Sequence, residues 1–120
     1  MKKILVIDDD QALTQALKAR LEAEHYEVTI AENGVEGLKA FESGTPDLVL
    51  LDVVMPQMDG YTFVRTLKAK GLANKVPLLV LSGRDATRDI FELEGIRDFL
   101  VKPCSVETLI QRIKEKLGSS

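Results

Sequence analysis

Short apolar runs alternate with helical patterns along this chain of 120 residues. Ile4 to Ile7, Leu48 to Leu51 and Leu78 to Leu81 are continuously apolar, which is typical of strands buried on both faces of a parallel sheet. Tyr26 to Ile30 alternates with polar residues and predicts a strand at the edge of the sheet. Phe99 to Val101 predicts a fifth strand.

Helical patterns fill the intervals in the first half of the chain. Asp10 is placed to cap a first helix, and Asn33 and Gly34 turn the chain into a second helix that Gly44 closes. The residues predicted to face inward are Leu13, Ala16, Leu17 and Leu21 in the first helix and Val35, Leu38 and Phe41 in the second.

Helical patterns also follow the strands in the second half of the chain. Asp59 is a plausible cap for a third helix that ends at Gly71, and a short helix is predicted over Asp85 to Glu94. The inward residues are Val64 and Leu67 in the third helix, and Val106, Leu109, Ile110, Ile113 and Leu117 in the last.

Five strand–helix units in strict alternation predict an α/β fold with a single domain over residues 1–120. We expect a doubly wound, flavodoxin-like parallel sheet of five strands in the order 2-1-3-4-5, with helices on both faces. In such a sheet the ligand site lies outside the carboxyl ends of the strands, near the first and the third.

Polar side chains follow the buried strands at that edge: Asp8 and Asp9 after the first, Asp52 after the third, Ser82 after the fourth and Lys102 after the fifth. Three carboxylates in one place repel one another, and a hard divalent cation relieves the repulsion. Mg²⁺ (or Mn²⁺) is the expected ion, because it accepts a few carboxylates and leaves room for phosphate oxygens.

With a cation beside it, the Asp52 carboxylate is a candidate nucleophile toward phosphorus. Lys102 would neutralise phosphoryl oxygens and the Ser82 hydroxyl would donate to one of them. Gly83 has no side chain, which leaves the approach to Asp52 open. Asp10, by contrast, is interpreted as a helix cap only.

Composition narrows the function classes further. The formal charge of −3 and the pI of about 5.2 do not fit a nucleic-acid binder. The single cysteine, Cys104, cannot form an internal disulfide, and no apolar run approaches the roughly 20 residues of a membrane span. The apolar run after Lys3 is too short for a signal peptide. We therefore expect a soluble cytoplasmic protein.

The chain resembles the receiver domain of bacterial two-component response regulators, the family of the chemotaxis regulator. The resemblance extends from Lys2 to Leu117. The segments that carry it are Ile4 to Asp10, Pro46 to Gly60, Leu81 to Gly83 and Asp98 to Pro103.

The resemblance implies a role for each matching residue. Asp52 would accept the phosphoryl group from a histidine kinase, a phosphotransfer protein or a small phosphodonor. Asp9 would bind Mg²⁺ directly, Asp8 mainly through water, and Val54 through its backbone carbonyl. The phosphoryl-binding and switch residues would be Ser82, Gly83, Phe99 and Lys102, with a cis peptide before Pro103.

The resemblance also implies an output. Phosphorylation would draw the Ser82 hydroxyl inward, Phe99 would follow, and the face around the fifth strand and its flanking helices would change. That face would engage an effector protein or a fused output domain. The segment between Ser82 and Lys102 is shorter than the usual family pattern, and the apolar Val54 beside Asp52 predicts a long-lived phosphoryl group.

Two other functions stay open at this point. A Mg²⁺-dependent phosphohydrolase also forms an aspartyl phosphate, but such enzymes carry a second aspartate two positions after the first, where this chain has Val54. A docking module of receiver shape that needs no phosphorylation is the other alternative. The presence of every acid and of Lys102 favours a signalling switch that catalyses only its own phosphorylation and dephosphorylation.

Overall fold

A five-stranded parallel sheet in the order β2-β1-β3-β4-β5 forms the centre of the protein. The computed structural model describes residues 1–52, 60–72, 75–82, 98–101 and 105–117. The predicted fold and strand order are confirmed. The strands are β1 (Lys3–Ile7), β2 (Glu27–Ala31), β3 (Leu48–Asp52), β4 (Leu78–Ser82) and β5 (Phe99–Val101).

The central strands are apolar throughout because both of their faces are covered. Along β1, Leu5 and Ile7 contribute to one core, while Ile4 and Val6 contribute to another on the opposite face of the sheet. All four side chains are almost fully buried. The uninterrupted apolar runs therefore reflect two cores, each receiving alternate residues of a strand.

Helices cover both faces. The described helices are α1 (Gln11–Ala23), α2 (Gly34–Ser43), α3 (Gly60–Ala69) and α4 (Val106–Leu117). Buried residues of α1 and α4 join the core on one face, and those of α2 and α3 join the core on the other. Within the described ranges, no helix combines the length and the apolar character that crossing a bilayer requires.

The inward face of α1 differs from its prediction at one position. Leu17 and Leu21 are fully buried and Leu13 is partly buried, but Ala16 is exposed. Thr14 is buried in its place, and its hydroxyl donates to the Gln11 carbonyl at 3.2 Å. A threonine can occupy this inward site because the helix itself supplies the acceptor that its hydroxyl needs.

The inward face of α2 also requires a correction. Val35 was predicted to face inward but is 37% exposed. Phe41 is buried and Leu38 is partly buried as expected, while Gly37 is the buried residue of the middle turn. The close approach of α2 to β1 at Gly37 turns this face toward the sheet and leaves Val35 outside.

The remaining helices agree with the prediction where they are described. Val64 and Leu67 of α3 are fully buried together with Phe63, and Gly71 follows α3 with a φ of 73°. In α4, Leu109, Ile110 and Ile113 are buried, and the flanking Val106 and Leu117 pack against the same core. The helix predicted over 85–94 and the cap at Asp59 lie outside the described residues.

Candidate functional site

The register of the sheet brings the ends of β1 and β3 to one edge. Ile7 pairs with Leu51 between these neighbouring parallel strands, so Asp8 and Asp52 follow at the same level. Asp52 pairs with Leu81 of β4 on its other side. Asp52 is therefore the last residue of a central strand with a neighbour on each side.

Three carboxyl groups converge at this edge. One carboxylate oxygen from each of Asp8, Asp9 and Asp52 lies within 4.8 Å of the other two. Asp8 is 2% exposed and Asp52 is 6% exposed, whereas Asp9 is exposed. The cluster thus has a buried side, formed by Asp8 and Asp52, and a side at Asp9 that is open to solvent.

This arrangement has an electrostatic cost that a cation would remove. Two unit charges about 5 Å apart repel by about 3 kcal/mol at an effective dielectric constant near 20, and the cluster holds three such pairs. The donor set consists of carboxylate oxygens, which Mg²⁺ and Mn²⁺ prefer. The three oxygens lie close enough together that Asp8, Asp9 and Asp52 could hold one ion between them, directly or through its waters.

Asp8 is held by two backbone groups. Its N–H donates to the Ala31 carbonyl of β2 at 3.0 Å, and its Oδ1 accepts the Asp10 N–H at 2.9 Å. Sequence reasoning treated Asp10 as a helix cap and missed its bond to Asp8. The signal was present in the spacing, because an aspartate side chain readily accepts from the backbone two residues further on.

The other predicted site residues are only partly described. Phe99 is buried in β5, and Ser82 ends β4 opposite Val101. Val54, Gly83, Lys102 and Pro103 lie outside the described residues. The structure thus brings together the three acids, and the roles assigned to all these residues stay predictions.

Comparison with known proteins agrees with this geometry. The family model described as the response regulator receiver domain matches residues 4–114. Response regulators named MprA from Mycobacterium sp. strain KMS and from Mycobacterium ulcerans are each 38% identical over 117 residues, which is 96% of this chain. The chain spans about half the length of these relatives, 50% in each case.

Solved structures share the fold over nearly the whole chain. The receiver domain of the Francisella response regulator 1452 is 28% identical with a TM-score of 0.88, covering 98% of this chain and 97% of its own. Chemotaxis protein CheY4 of Vibrio cholerae is 29% identical with a TM-score of 0.87, covering 98% and 99%.

A third structure contains ligands. Response regulator TrrA of Thermotoga maritima, in complex with Mg²⁺ and BeF, is 33% identical with a TM-score of 0.83, covering 98% of this chain and 100% of its own. The sheet order, the acidic edge and the sequence match lead to one conclusion. The chain belongs to the family of response regulator receiver domains.

Proposed function

We propose that this domain is a phosphorylation-activated switch of a two-component system, with Asp52 as the phosphoacceptor. The observation that carries the proposal is the convergence of Asp8, Asp9 and Asp52 at one edge of the sheet, with two of the three carboxyl groups buried. Burying like charges together is costly, and a bound cation would offset that cost.

Asp52 would carry out the chemical step. An Asp52 carboxylate oxygen bonds to phosphorus while the bond from phosphorus to the donor breaks, which is a P–N bond when the donor is a phosphohistidine. The imidazole departs with the electron pair of that bond. Asp52 ends a central strand that pairs with a neighbour on each side, which restricts its movement and supports this role, because phosphoryl transfer depends mostly on positioning.

Asp8 and Asp9 would hold the metal beside Asp52, and the Val54 carbonyl would be a further ligand. Mg²⁺, when bound, supplies positive charge that offsets the phosphoryl oxygens. Lys102 and the Ser82 hydroxyl would contact those oxygens from other strand ends, with the Gly83 backbone beside them. A movement of Phe99 would then transmit the change to the output face. The peptide bond between Lys102 and Pro103 would be cis.

The proposed partners follow from this chemistry. A sensor histidine kinase or a phosphotransfer protein would supply the phosphoryl group, and an effector protein or a fused output domain would receive the signal. The matched relatives are about twice as long as this chain, so an output domain elsewhere in the protein fits the proposal. We propose a cytoplasmic location and no direct contact of this domain with nucleic acid or membrane.

Intact-mass measurement after incubation with acetyl phosphate and Mg²⁺ tests the proposal. The wild-type domain is expected to gain one phosphoryl group and Asp52→Asn none. Asp47→Asn is a matched control, because Asp47 lies at the opposite end of the same strand, where its side chain accepts the Lys3 N–H at 2.7 Å. It is expected to gain the group like the wild type.

Two outcomes would contradict the proposal. A folded wild-type domain that gains no mass, and that beryllofluoride with Mg²⁺ leaves unchanged, would be a docking module that needs no phosphorylation. Sustained turnover of small phosphoesters, abolished by Asp52→Asn, would identify a phosphohydrolase.

A further inference from the structure

We infer that Asp10 is a positioning residue of the metal site, orienting Asp8 through a backbone N–H that helix α1 holds in place. Asp10 is not among the three clustered acids. The inference rests on the proposed function, because it concerns the affinity of the Asp8, Asp9 and Asp52 site for a divalent cation.

The first link is the bond from Asp10 to Asp8. The Asp10 N–H donates to Asp8 Oδ1 at 2.9 Å, across two residues. Asp8 is 2% exposed, so its carboxylate is shielded from competing water. The bond therefore limits rotation of the Asp8 carboxylate and fixes how its oxygens face Asp9 and Asp52.

The second link holds Asp10 itself. Its side-chain Oδ1 accepts the Leu13 N–H at 3.1 Å, and its backbone carbonyl accepts the Thr14 N–H at 3.0 Å. Its backbone is extended, with φ −79° and ψ 97°, as usual for a residue that caps a helix. Asp10 is thus joined to the first turn of α1 through both its side chain and its backbone.

The third link fixes α1 on the sheet. Leu17 and Leu21 are fully buried in the core that α1 shares with β1. The donor that orients Asp8 is therefore on a residue that is bonded to a packed helix. Partners that orient metal ligands commonly change metal affinity by about ten- to a hundredfold when they are lost.

Two simpler roles for Asp10 predict different results. If its carboxylate acts only as a negative charge near the cation, Asp10→Asn and Asp10→Ala weaken binding equally. If Asp10 only stabilises α1, Asp10→Ala lowers the melting temperature and leaves metal affinity unchanged. If Asp10 orients Asp8, Asp10→Ala binds the metal more weakly than the wild type and Asp10→Asn binds it nearly as tightly. An asparagine keeps the cap without the charge.

Titration with Mn²⁺, with the free ion measured by electron paramagnetic resonance, separates these cases. Asp10→Ala is expected to raise the dissociation constant about tenfold. Asp10→Asn is expected to stay within about twofold of the wild type at moderate ionic strength, because screening limits the loss of one exposed charge. The Mg²⁺ concentration that gives half the maximal rate of phosphorylation by acetyl phosphate should rise in Asp10→Ala and stay nearly unchanged in Asp10→Asn. The rate at saturating Mg²⁺ should change little in either variant.

Asn33→Ala is the matched control. Asn33 caps α2 by accepting the Glu36 N–H at 2.9 Å, and it pairs with the Glu36 side chain. This variant is expected to melt at a lower temperature and to bind Mn²⁺ like the wild type. Weaker Mn²⁺ binding in Asn33→Ala equal to that in Asp10→Ala would overturn the inference, because loss of any cap would then suffice.

Equal weakening in Asp10→Asn and Asp10→Ala, or wild-type affinity in Asp10→Ala, would also overturn it. Failure of the proposed function is distinguishable from these results, since it would appear in the wild-type domain itself as no mass gain from acetyl phosphate or as turnover of small phosphoesters, whereas the inference depends only on how the variants rank in Mn²⁺ affinity.

Discussion

Gly37 of α2 lies directly against Ile7 of β1, the residue that precedes Asp8. A β-carbon on residue 37 would stand 2.5 Å from Ile7 Cδ1 and 3.0 Å from Ile7 Cγ1, closer than side chains pack in proteins. Ile7 is fully buried, so its side chain has little room to withdraw. The absence of a side chain at Gly37 is therefore what lets α2 approach the strand that ends at the acidic cluster.

Gly37→Ala is expected to destabilise the domain by about 1 kcal/mol. Overpacking in a core costs about 1–3 kcal/mol, which exceeds the gain of about 1 kcal/mol that alanine brings to a helix interior. Urea unfolding measures the difference. Alanine at Gly44, where only the tip of Lys3 lies within 3.9 Å of the added carbon, provides a control without core overpacking.

Ile7→Val in the Gly37→Ala background is expected to recover part of the loss, because valine lacks the Cδ1 atom that the new methyl group would strike. The free energy of unfolding of the double variant should exceed the value expected from adding the two single effects by about 0.5 kcal/mol or more. Strict additivity of the two single changes would contradict this account of the contact.

His25→Gly is expected to stabilise the domain by about 0.5–1 kcal/mol. His25 follows α1 with a φ of 70°, a left-handed backbone that glycine adopts without strain. The His25 N–H donates to the Glu22 carbonyl at 3.0 Å and the Tyr26 N–H to the Leu21 carbonyl at 3.1 Å, so the turn requires this backbone. Thermal or urea unfolding measures the gain.

Glu24→Gly, one residue earlier, is the control for His25→Gly. Glu24 has a φ of −93°, so glycine relieves no strain there, adds freedom to the unfolded chain and removes the ion pair of Glu24 Oε2 with Lys114 Nζ at 2.8 Å. We expect it to lower the free energy of unfolding. A gain from both glycines would mean that the backbone of His25 is not strained.

Asp52→Asn is expected to stabilise the metal-free domain by at least about 1 kcal/mol, since it removes two of the three repelling carboxylate pairs and each is worth about 1 kcal/mol even at the dielectric constant of water. The wild type should in turn gain about 1.4 kcal/mol when Mg²⁺ is present at ten times its dissociation constant, and Asp52→Asn should gain less. Urea unfolding with Mg²⁺ and with a chelator measures both effects. Lower stability of metal-free Asp52→Asn would contradict the repulsion inferred for the cluster.

The pair of Arg20 on α1 and Glu107 on α4 is expected to contribute stability that acid removes. Arg20 Nη2 donates to Glu107 Oε2 at 2.9 Å, and Arg20 holds the pKa of the Glu107 carboxyl below its ordinary value of 4.5. A lowered pKa in the folded state means that the contribution is complete above pH 4.5 and is lost as the pH falls below it, through the lowered pKa.

A double-mutant cycle with Arg20→Gln and Glu107→Gln, followed from pH 7 to pH 3, measures this coupling. The coupling should be small and weaker in high salt, because the side chains are 48% and 70% exposed. The neighbouring Glu24 and Lys114 also act on this pair and should be left unchanged in every variant. A coupling that grows toward low pH would contradict the expected direction of the pH dependence.

The phosphoryl group on Asp52 is expected to persist well beyond seconds in the purified domain. Val54 is apolar and cannot hold the water that would attack the phosphoryl group. Decay of the added mass after removal of acetyl phosphate measures the lifetime, and Val54→Asn should shorten it. Hydrolysis of the wild type within seconds would refute the expectation.

Much of the fold could be predicted because burial on both faces leaves a strong mark on a strand. The run Leu48 to Leu51 reads as a central strand without any structural knowledge, and the strands predicted from such runs are confirmed. Topology rules then placed β1 beside β3, and with it Asp8 and Asp9 beside Asp52. Strand ends could be predicted because the change from apolar to acidic residues is local.

The inward faces of the helices were harder to predict. Ala16 and Val35 are apolar enough for a core, yet both are exposed, while Thr14 and Gly37 are buried. An alanine or a threonine fits either side of a helix, and the direction in which the helix meets the sheet selects between them. That direction depends on contacts such as Gly37 with Ile7, between residues 30 positions apart in sequence.

The sequence by itself thus determined the sheet, its order and the identity of the acids at its edge, because these follow from local patterns and a small set of allowed connections. Only the tertiary structure decided the helix faces, the bidentate pairing of Arg20 with Glu107 and the bond by which Asp10 holds Asp8. These features depend on distances and backbone directions that arise when distant segments pack, and neither is encoded in the type of any single residue.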